Sequence, residues 1–515
     1  MLALLKRFVL FALLLAIWAL LLWFGIGFDL SGHGLAVLVM VHLLPPALAY
    51  GLGWYVLVGR KRRQEREAQE RARLEREEQA RQEELARQRH RDELASRRIG
   101  ADCLAVAFGG WLERGGQGSV AGGAEGVAVQ ALEEPPEVEN DGFGAPTITG
   151  AMFLPYLTDT LASLFALCPG AAAFPVLVGG PADLAVDECC ALVRQAWLAI
   201  PGNEAAEGAP LRQALRVTAL PAGSSVADTV IHQFELEPEL PGAVLLAFDS
   251  PWFRHAGEDE DEIPDELRER RRWLGEPAQG VVAMAVANPG LAELLRKVEE
   301  GLPKGGALDD SFTAYWERGI ELGPPLVPLA RLPAEARRGL AEALPLARLH
   351  RSVGGDCAEK PGRANVLGNA MRMALERAMV NAALLPWPYP APTPVATEPA
   401  EAGEGAPPKQ VPACDWLVHN AGGVECAGPR LAAVGLALHF FDIGLNPIDE
   451  ATNFPAKVGD LGRGLPLALL AQAVNKAAET ASPACWVHFD GDSRFDAGFV
   501  VPAPAINANL EEEAA

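Results

Sequence analysis

Asp415-Trp416-Leu417-Val418-His419-Asn420-Ala421-Gly422-Gly423 and, downstream, Phe454-Pro455-Ala456-Lys457-Val458-Gly459-Asp460-Leu461-Gly462-Arg463-Gly464 are the stretches that decide the fold. The first is an apolar run closed by a histidine and a glycine turn, the pattern of a buried strand that ends at a loop. The second leads directly into Leu465–Thr480, which reads as a helix. Helix Pro429–Phe441 and strand Cys485–Asp490 complete a strand–helix–helix–strand order. Upstream, Cys103–Phe108, Val176–Val178, Arg216–Leu220, Ala243–Phe248 and Val281–Ala287 read as strands, several of them buried on both faces. Asp183–Ile200, Ala334–Leu344 behind Pro333, and Asn369–Leu385 stopped by Pro386 read as helices. Strand and helix alternation predicts an α/β body.

The composition changes along the chain. Between Pro386 and Pro412 little but Pro, Ala, Glu and Gly occurs, which predicts a linker at 388–412. The body therefore divides into α/β units at 99–387 and 413–506, followed by an acidic tail at 507–515. Residues 1–98 carry 16 Lys+Arg against 11 Asp+Glu, whereas the rest carries 28 against 56, a net charge of −28. A body this acidic repels phosphate backbones and disfavours nucleic acid as a partner. The eight cysteines are scattered without a C-x-x-C spacing, which points to reduced thiols rather than a disulfide framework or a zinc site.

The first 58 residues read as a membrane hairpin. Phe8–Phe28 is a 21-residue stretch without Lys, Arg, Asp or Glu, and Leu35–Val58 is a second. Spans are expected at about 8–28 and 35–58, with Pro45–Pro46 kinking or interrupting the second. Lys6 and Arg7 precede the first, Arg60 to Arg63 follow the second, and the connecting loop has neither Lys nor Arg. The positive-inside bias then predicts an inner-membrane protein with both termini and the body cytoplasmic. Residues 59–98, rich in Arg, Glu, Gln and Ala, read as a charged spacer helix without coiled-coil heptads.

No assignable catalytic, cofactor-binding or metal constellation emerges. There is no G-x-S-x-G elbow, no Walker A sequence and no H-E-x-x-H. Gly115–Ser119 lacks a phosphate-binding lysine and reads as part of a flexible loop. The run Asp490–Asp496 reads as a surface turn rather than a cation loop. The block His255–Arg272, acidic and then basic, reads as a solvated loop running into a helix.

The succession from Asp415 to the helix at Leu465 resembles the C-terminal half of a thiolase-like (ketosynthase) domain. In that family a strand ends in a histidine-glycine loop, and a later lysine strand leads through an N-x-G-H turn into a helix. The resemblance implies histidines acting at a thioester carbonyl opposite a nucleophilic cysteine. Here Arg463 follows Leu461-Gly462, His419 lacks the family's Gly-Thr-Gly-Thr continuation, and Cys168 before Pro169-Gly170 is a poor nucleophile elbow. A thiolase-like but catalytically empty layered scaffold is the expectation, with His419 a packed or loop residue.

The body, through Val244-Leu245-Leu246-Ala247-Phe248-Asp249-Ser250-Pro251 and Asp415 to Gly464, also resembles the adaptor (chaperone) proteins of type VI secretion lipase effectors. That resemblance implies a non-enzymatic protein that binds a phospholipase effector and delivers it to the spike protein of the secretion machine. Membrane lipid, reached through the hairpin, is the remaining expected partner. The alternatives are a membrane-anchored acyl-thioester enzyme and a structural scaffold of an envelope complex.

Overall fold

The computed structural model describes residues 2–26, 35–96, 100–111, 126–129, 149–200, 215–221, 225–254, 265–302, 322–357, 364–385, 414–423, 425–491 and 493–503. The chain forms two compact units, Met1–Glu93 and Leu94–Ala515. The expected linker 388–412, the acidic tail 507–515 and the glycine-rich 112–125 lie outside the described residues.

The first unit contains helix α1 (Leu2–Leu21), a π-helical turn at Leu22–Ile26, and most of the 62-residue helix α2 (Leu35–Ser96). The less exposed residues of α1 and its turn include Phe11, Leu14, Leu15, Trp18 and Leu22, a helical spacing that marks one packing face. Phe11 meets Tyr50 edge-on with ring centroids 5.7 Å apart, and Trp18 Nε1 donates to the Val41 carbonyl at 2.9 Å. These two contacts make the helices antiparallel. The outward face is apolar too, with Leu13, Ile17, Leu20, Trp23 and Phe24 all exposed.

Pro45 and Pro46 lie inside α2, so of the expected kink or interruption the interruption does not occur. Pro45 has no N–H for the carbonyl four residues earlier, and that carbonyl, on Val41, is the one that takes the Trp18 indole. An open polar group in an apolar segment would cost about 1–3 kcal/mol. The expected pair of spans is met by one helix among the described residues. The window Val39–Val56, of mean hydropathy 1.3, is long and apolar enough to cross a membrane by length and composition, whereas Val9–Phe24 is shorter. The charged stretch 59–98 is also no separate element, because α2 carries on unbroken to Ser96.

The second unit is a layered α/β body. Its strands are β1 (Ala101–Trp111), β2 (Val127–Val129), β3 (Val176–Gly179), β4 (Val217–Ala219), β5 (Gly242–Asp249) and β6 (Gln279–Ala287), then β7 (Ala347–Leu349), β8 (Val353–Asp356), β9 (Trp416–His419), β10 (Ala451–Asn453), β11 (Ala484–Asp490) and β12 (Arg494–Pro502). The hydrogen-bonded order is β10-β9-β11-β12-β7-β1-β6-β5-β3-β4, with β2 beside β1 and β8 beside β12. This order contains a duplication. Taking β1, β3, β4, β5, β6 as one set and β7, β9, β10, β11, β12 as the other, each runs third, second, fourth, fifth, first. In each set the fifth strand is antiparallel to both neighbours, and the second strand is parallel to the third and fourth. The two first strands meet antiparallel, Ala101 opposite Leu349 and Cys103 opposite Ala347, as a two-fold relation requires. Across this seam Arg348 grips Asp102 with two parallel hydrogen bonds of 2.7 and 3.2 Å.

Residue alternation then builds the layers. Along β5, Val244, Leu246 and Phe248 enter an outer core with β6 residues Val281, Ala283 and Ala285. Helices α3 (Leu154–Leu167) and α4 (Val186–Ala199) cover that face, and Leu295 of α7 (Leu291–Gly301) and Leu340 of α8 (Ala334–Glu342) join the same core. The intervening Leu245, Val282, Met284 and Val286 enter a middle core with helices α5 (Val226–Leu236) and α11 (Leu465–Thr480). Trp486 and Val500 reach the same core from the second repeat. On the far side of those strands, Cys485, Val487, Phe495, Ala497 and Phe499 form the outer core of the second repeat. Helices α9 (Ala364–Asn381) and α10 (Gly428–Phe440) cover that face. Both halves of the ladder share the middle core, so the ladder folds over at the β1–β7 seam into two stacked sheets. The order of layers is helices, sheet, helices, sheet, helices. Both faces of each sheet are buried, so the strands are apolar throughout. Helix α11 lies between the sheets and buries nearly all its residues, from Leu465 to Ala477.

The second repeat begins at β7, ahead of the Pro-rich stretch. The topological boundary therefore differs from the 99–387 and 413–506 division read from composition. Short β7 and β10, and β12 behind the Asp490–Arg494 turn, carry the duplication.

Phe454 is fully buried in the middle core, with its ring 6.5 Å from that of Phe108 in the other repeat. Phe454→Ala is expected to cost the body about 3–5 kcal/mol. Urea unfolding of the full chain in detergent measures this, and an unchanged midpoint would refute a shared middle core.

Candidate functional site

Parallel strands β3, β5, β9 and β11 end at one cleft of about 1440 Å³, lined by Gly179, Asp249, Asn420 and Asp490 among others. Carboxyl ends of strands are where open α/β sheets bind ligands. Both repeats contribute walls, and the floor is a polar network that ties them together.

Asp249 closes β5 and is buried. Its Oδ1 accepts the Ser250 N–H and its Oδ2 the Arg463 N–H, each at 2.8 Å, so one carboxylate spans the repeats. Gly462 beside it has φ +54°, and a Cβ there would lie 2.2 Å from Asp249 Oδ2. Only glycine fits that approach. Asp460 accepts Arg270 Nε at 2.9 Å and the Gly462 N–H at 2.8 Å. Its backbone pairs with Glu276 and Ala278, at 2.8 and 3.0 Å. Ser250 Oγ donates to Gln279 Oε1 at 3.0 Å.

The opposite wall is organised by Trp273, in helix α6 (Asp265–Leu274). Its indole donates to the Asn420 carbonyl at 2.6 Å, and the Arg430 guanidinium lies 4.0 Å from the ring centroid. Asn420 in turn exchanges two hydrogen bonds with the Phe489 backbone, at 3.0 and 2.6 Å. Thus the charge block read as a solvated loop and helix supplies Arg270 and Arg272 to the cleft, next to Trp273, while 255–264 lie outside the described residues. No motif marked Asp249, Asp460 or Trp273, because backbone donors and a distant repeat complete their environment.

His419 is buried at the end of β9. The Ala421 N–H donates to its Nδ1 at 3.1 Å, and its Nε2 lies 3.1 Å from the Pro447 carbonyl. The proton must sit on Nε2, and both ring nitrogens are occupied by backbone. Burial lowers its pKa to about 4, and burial does the same to cleft-lining His488. Burial keeps both imidazoles neutral near pH 7.

The thiols agree. Burial raises Cys168 and Cys189 to about 11 and Cys414 to about 12, and pushes up Cys103, Cys190, Cys357 and Cys485. Cys168, the nearest sequence candidate for a nucleophile, sits in the outer core of the first repeat. Cys189 and Cys426 line the cleft, and Cys426 Sγ lies 3.0 Å from the Arg272 carbonyl. The run Asp490–Asp496 is the hairpin between β11 and β12, where Arg494 pairs with Asp490. Gly115–Ser119 lies outside the described residues.

Asp228 on α5 behaves differently. Burial raises its pKa to about 6, opposed by the Ser352 N–H, which donates to Oδ1 at 2.7 Å, and by Arg351. Because its folded pKa exceeds the unfolded value, its contribution to stability falls as pH rises from about 4 to 6. His419 has the reverse sign: its folded pKa is depressed, so its contribution is complete above 6.5 and falls as pH drops toward 4. At its limit that contribution is about 3 kcal/mol. His419→Gln is expected to flatten the loss of stability between pH 6.5 and 4, read from urea unfolding at several pH values. An unchanged slope would show that His419 titrates as freely in the folded state as in the unfolded chain.

No protein-family model and no curated protein sequence matches this chain. Solved structures are similar to it at low identity. One is the oxazolomycin ketosynthase domain OzmH KS8 of Streptomyces albus JA3453, at 11% identity, covering 78% of this chain and 95% of that one, with a TM-score of 0.40. Another is CsyB complexed with CoA-SH, at 11% identity, 78% and 100% coverage, and a TM-score of 0.42. A third is human mitochondrial 3-ketoacyl-CoA thiolase, at 12% identity, 79% and 100% coverage, and a TM-score of 0.39. These similarities concern fold and carry no activity over to this chain.

Proposed function

We propose that this chain is a membrane-anchored, non-enzymatic adaptor built on a thiolase-like double-sheet scaffold. The observation that carries the reading is the state of the histidine that ends β9 and of the cleft thiol Cys189. His419 has both nitrogens held by backbone, and burial holds cleft-lining Cys189 in its thiol form. Acyl-thioester chemistry needs a thiolate and a proton carrier facing the substrate, and these groups are arranged for structure instead. The polar floor of Asp249, Asp460 and Arg463 fixes the relative position of the repeats, which suits a rigid binding surface.

The sequence resemblance to type VI secretion lipase adaptors supplies the cargo: a phospholipase effector, delivered to the spike protein. The all-round apolar surface of the α1–α2 hairpin supports insertion into lipid, with α1 as a second span beside α2. The positive flanks at Lys6, Arg7 and Arg60–Arg63 support an inner-membrane location with the body cytoplasmic.

Full-length chain co-expressed with the lipase encoded beside its gene is expected to co-purify as one complex. Separate elution at micromolar concentration would remove the adaptor reading. A reporter fused after Ala515 is expected to be active only in its cytoplasmic form, and periplasmic activity would reverse the topology.

A further inference from the structure

The second unit is strongly acidic, yet its cleft carries exposed arginines. Helix α6 contributes Arg270 and Arg272, and the loop after Asp460 contributes Arg463. Arg270 is paired with Asp460 but its side chain remains 52% exposed. Arg272 and Arg463 are exposed and have no side-chain ion pair among the described residues. The two segments are held together, since Arg270 grips Asp460 and Ala278 donates to the Asp460 carbonyl at 3.0 Å. Guanidiniums without carboxylate partners, set in a concavity, favour an anionic ligand through charge-assisted hydrogen bonds.

We infer that the cleft, through Arg272 and Arg463, binds an acidic peptide segment of a partner protein. The inference rests on the adaptor reading for its partner and on this geometry for its chemistry. At about 1440 Å³ the cleft exceeds the roughly 300–1,000 Å³ usual for a small-molecule pocket. Its concavity suits an extended chain better than a planar membrane. Leu220, on the lining and only partly buried, offers a contact for an apolar side chain between the acidic ones. The lining also carries Asp356, Asp490 and Asp496, with Arg494 paired to Asp490, and Glu269 shares α6 with the arginines. The peptide's carboxylates therefore pair with Arg272 and Arg463, which have no side-chain ion pair among the described residues.

Fluorescence anisotropy with the full chain in nonionic detergent tests this, using labelled deca-glutamate and deca-lysine as probes. Deca-glutamate is expected to bind preferentially and to weaken with added salt. The double variant Arg272→Glu/Arg463→Glu is expected to weaken it at least about tenfold, while Arg296→Glu on the distant helix α7 leaves it unchanged. Circular dichroism of each variant checks the fold. Absence of deca-glutamate binding, preference for deca-lysine, or equal loss in both variants would overturn the inference. So would displacement of the peptide by a low fraction of phosphatidylglycerol in the micelles, which would assign the patch to lipid. If the lipase complex forms unchanged with the double variant, the cleft inference fails and the adaptor reading stands. If deca-glutamate binds as expected but no lipase complex forms, the adaptor reading fails and the cleft site stands.

Discussion

The middle helical layer is the constraint on which the body depends. Helix α11 sits between two sheets and must be apolar around most of its circumference, because each sheet presents an apolar face to it, while α5 buries one stripe, Ala227, Val230, Ile231 and Phe234. That requirement explains Leu465–Ala477, where even Gln472 and Asn475 are buried. It also explains why β5 and β6 lack the alternation of a half-exposed strand: alternate residues serve different cores. The antiparallel β1–β7 seam and the Arg348–Asp102 pair then fix the register in which the two repeats meet.

The same packing creates the cleft and limits its chemistry. Strand ends from both repeats converge there, so side chains at those ends are drawn into holding the repeats together. Asp249 is committed across the repeats to the Arg463 amide, while His419 is committed within the second repeat, to Pro447 and Ala421. A buried histidine satisfied on both nitrogens is rigid and neutral, which suits a loop anchor and not a proton carrier. What remains available at the cleft surface is charge, on Arg272, Arg463 and the lining carboxylates.

Much of the body is legible in sequence because its signals are local. Continuous apolar runs identify β3, β5 and β6, and the helix Leu465–Thr480 has in sequence the same bounds as in the fold. The duplication is not legible. It depends on β7 and β10, which are three residues each, and on β12, which a charged turn separates from β11. Strands that short have no periodicity to detect. Composition also marks the Pro-rich stretch as a boundary, whereas strand order places the second repeat earlier. The site is hidden for a different reason: Asp249 and Arg463 meet across 214 positions of sequence, through a backbone amide that any residue but proline could supply.

The hairpin shows how prolines can lie inside a continuous helix for a physical reason. Proline inside a helix removes a donor, and the usual result is a kink because the freed carbonyl must find another partner. In water that partner is solvent. Here the Val41 carbonyl finds the Trp18 indole of the facing helix, so the proline that should weaken α2 instead creates a docking point for α1. Such an exchange matters most where water is absent, since an unpaired carbonyl in hydrocarbon costs several kcal/mol. The pairing of Trp18 with Val41 is thus the interaction that a membrane setting for these two helices would make most valuable.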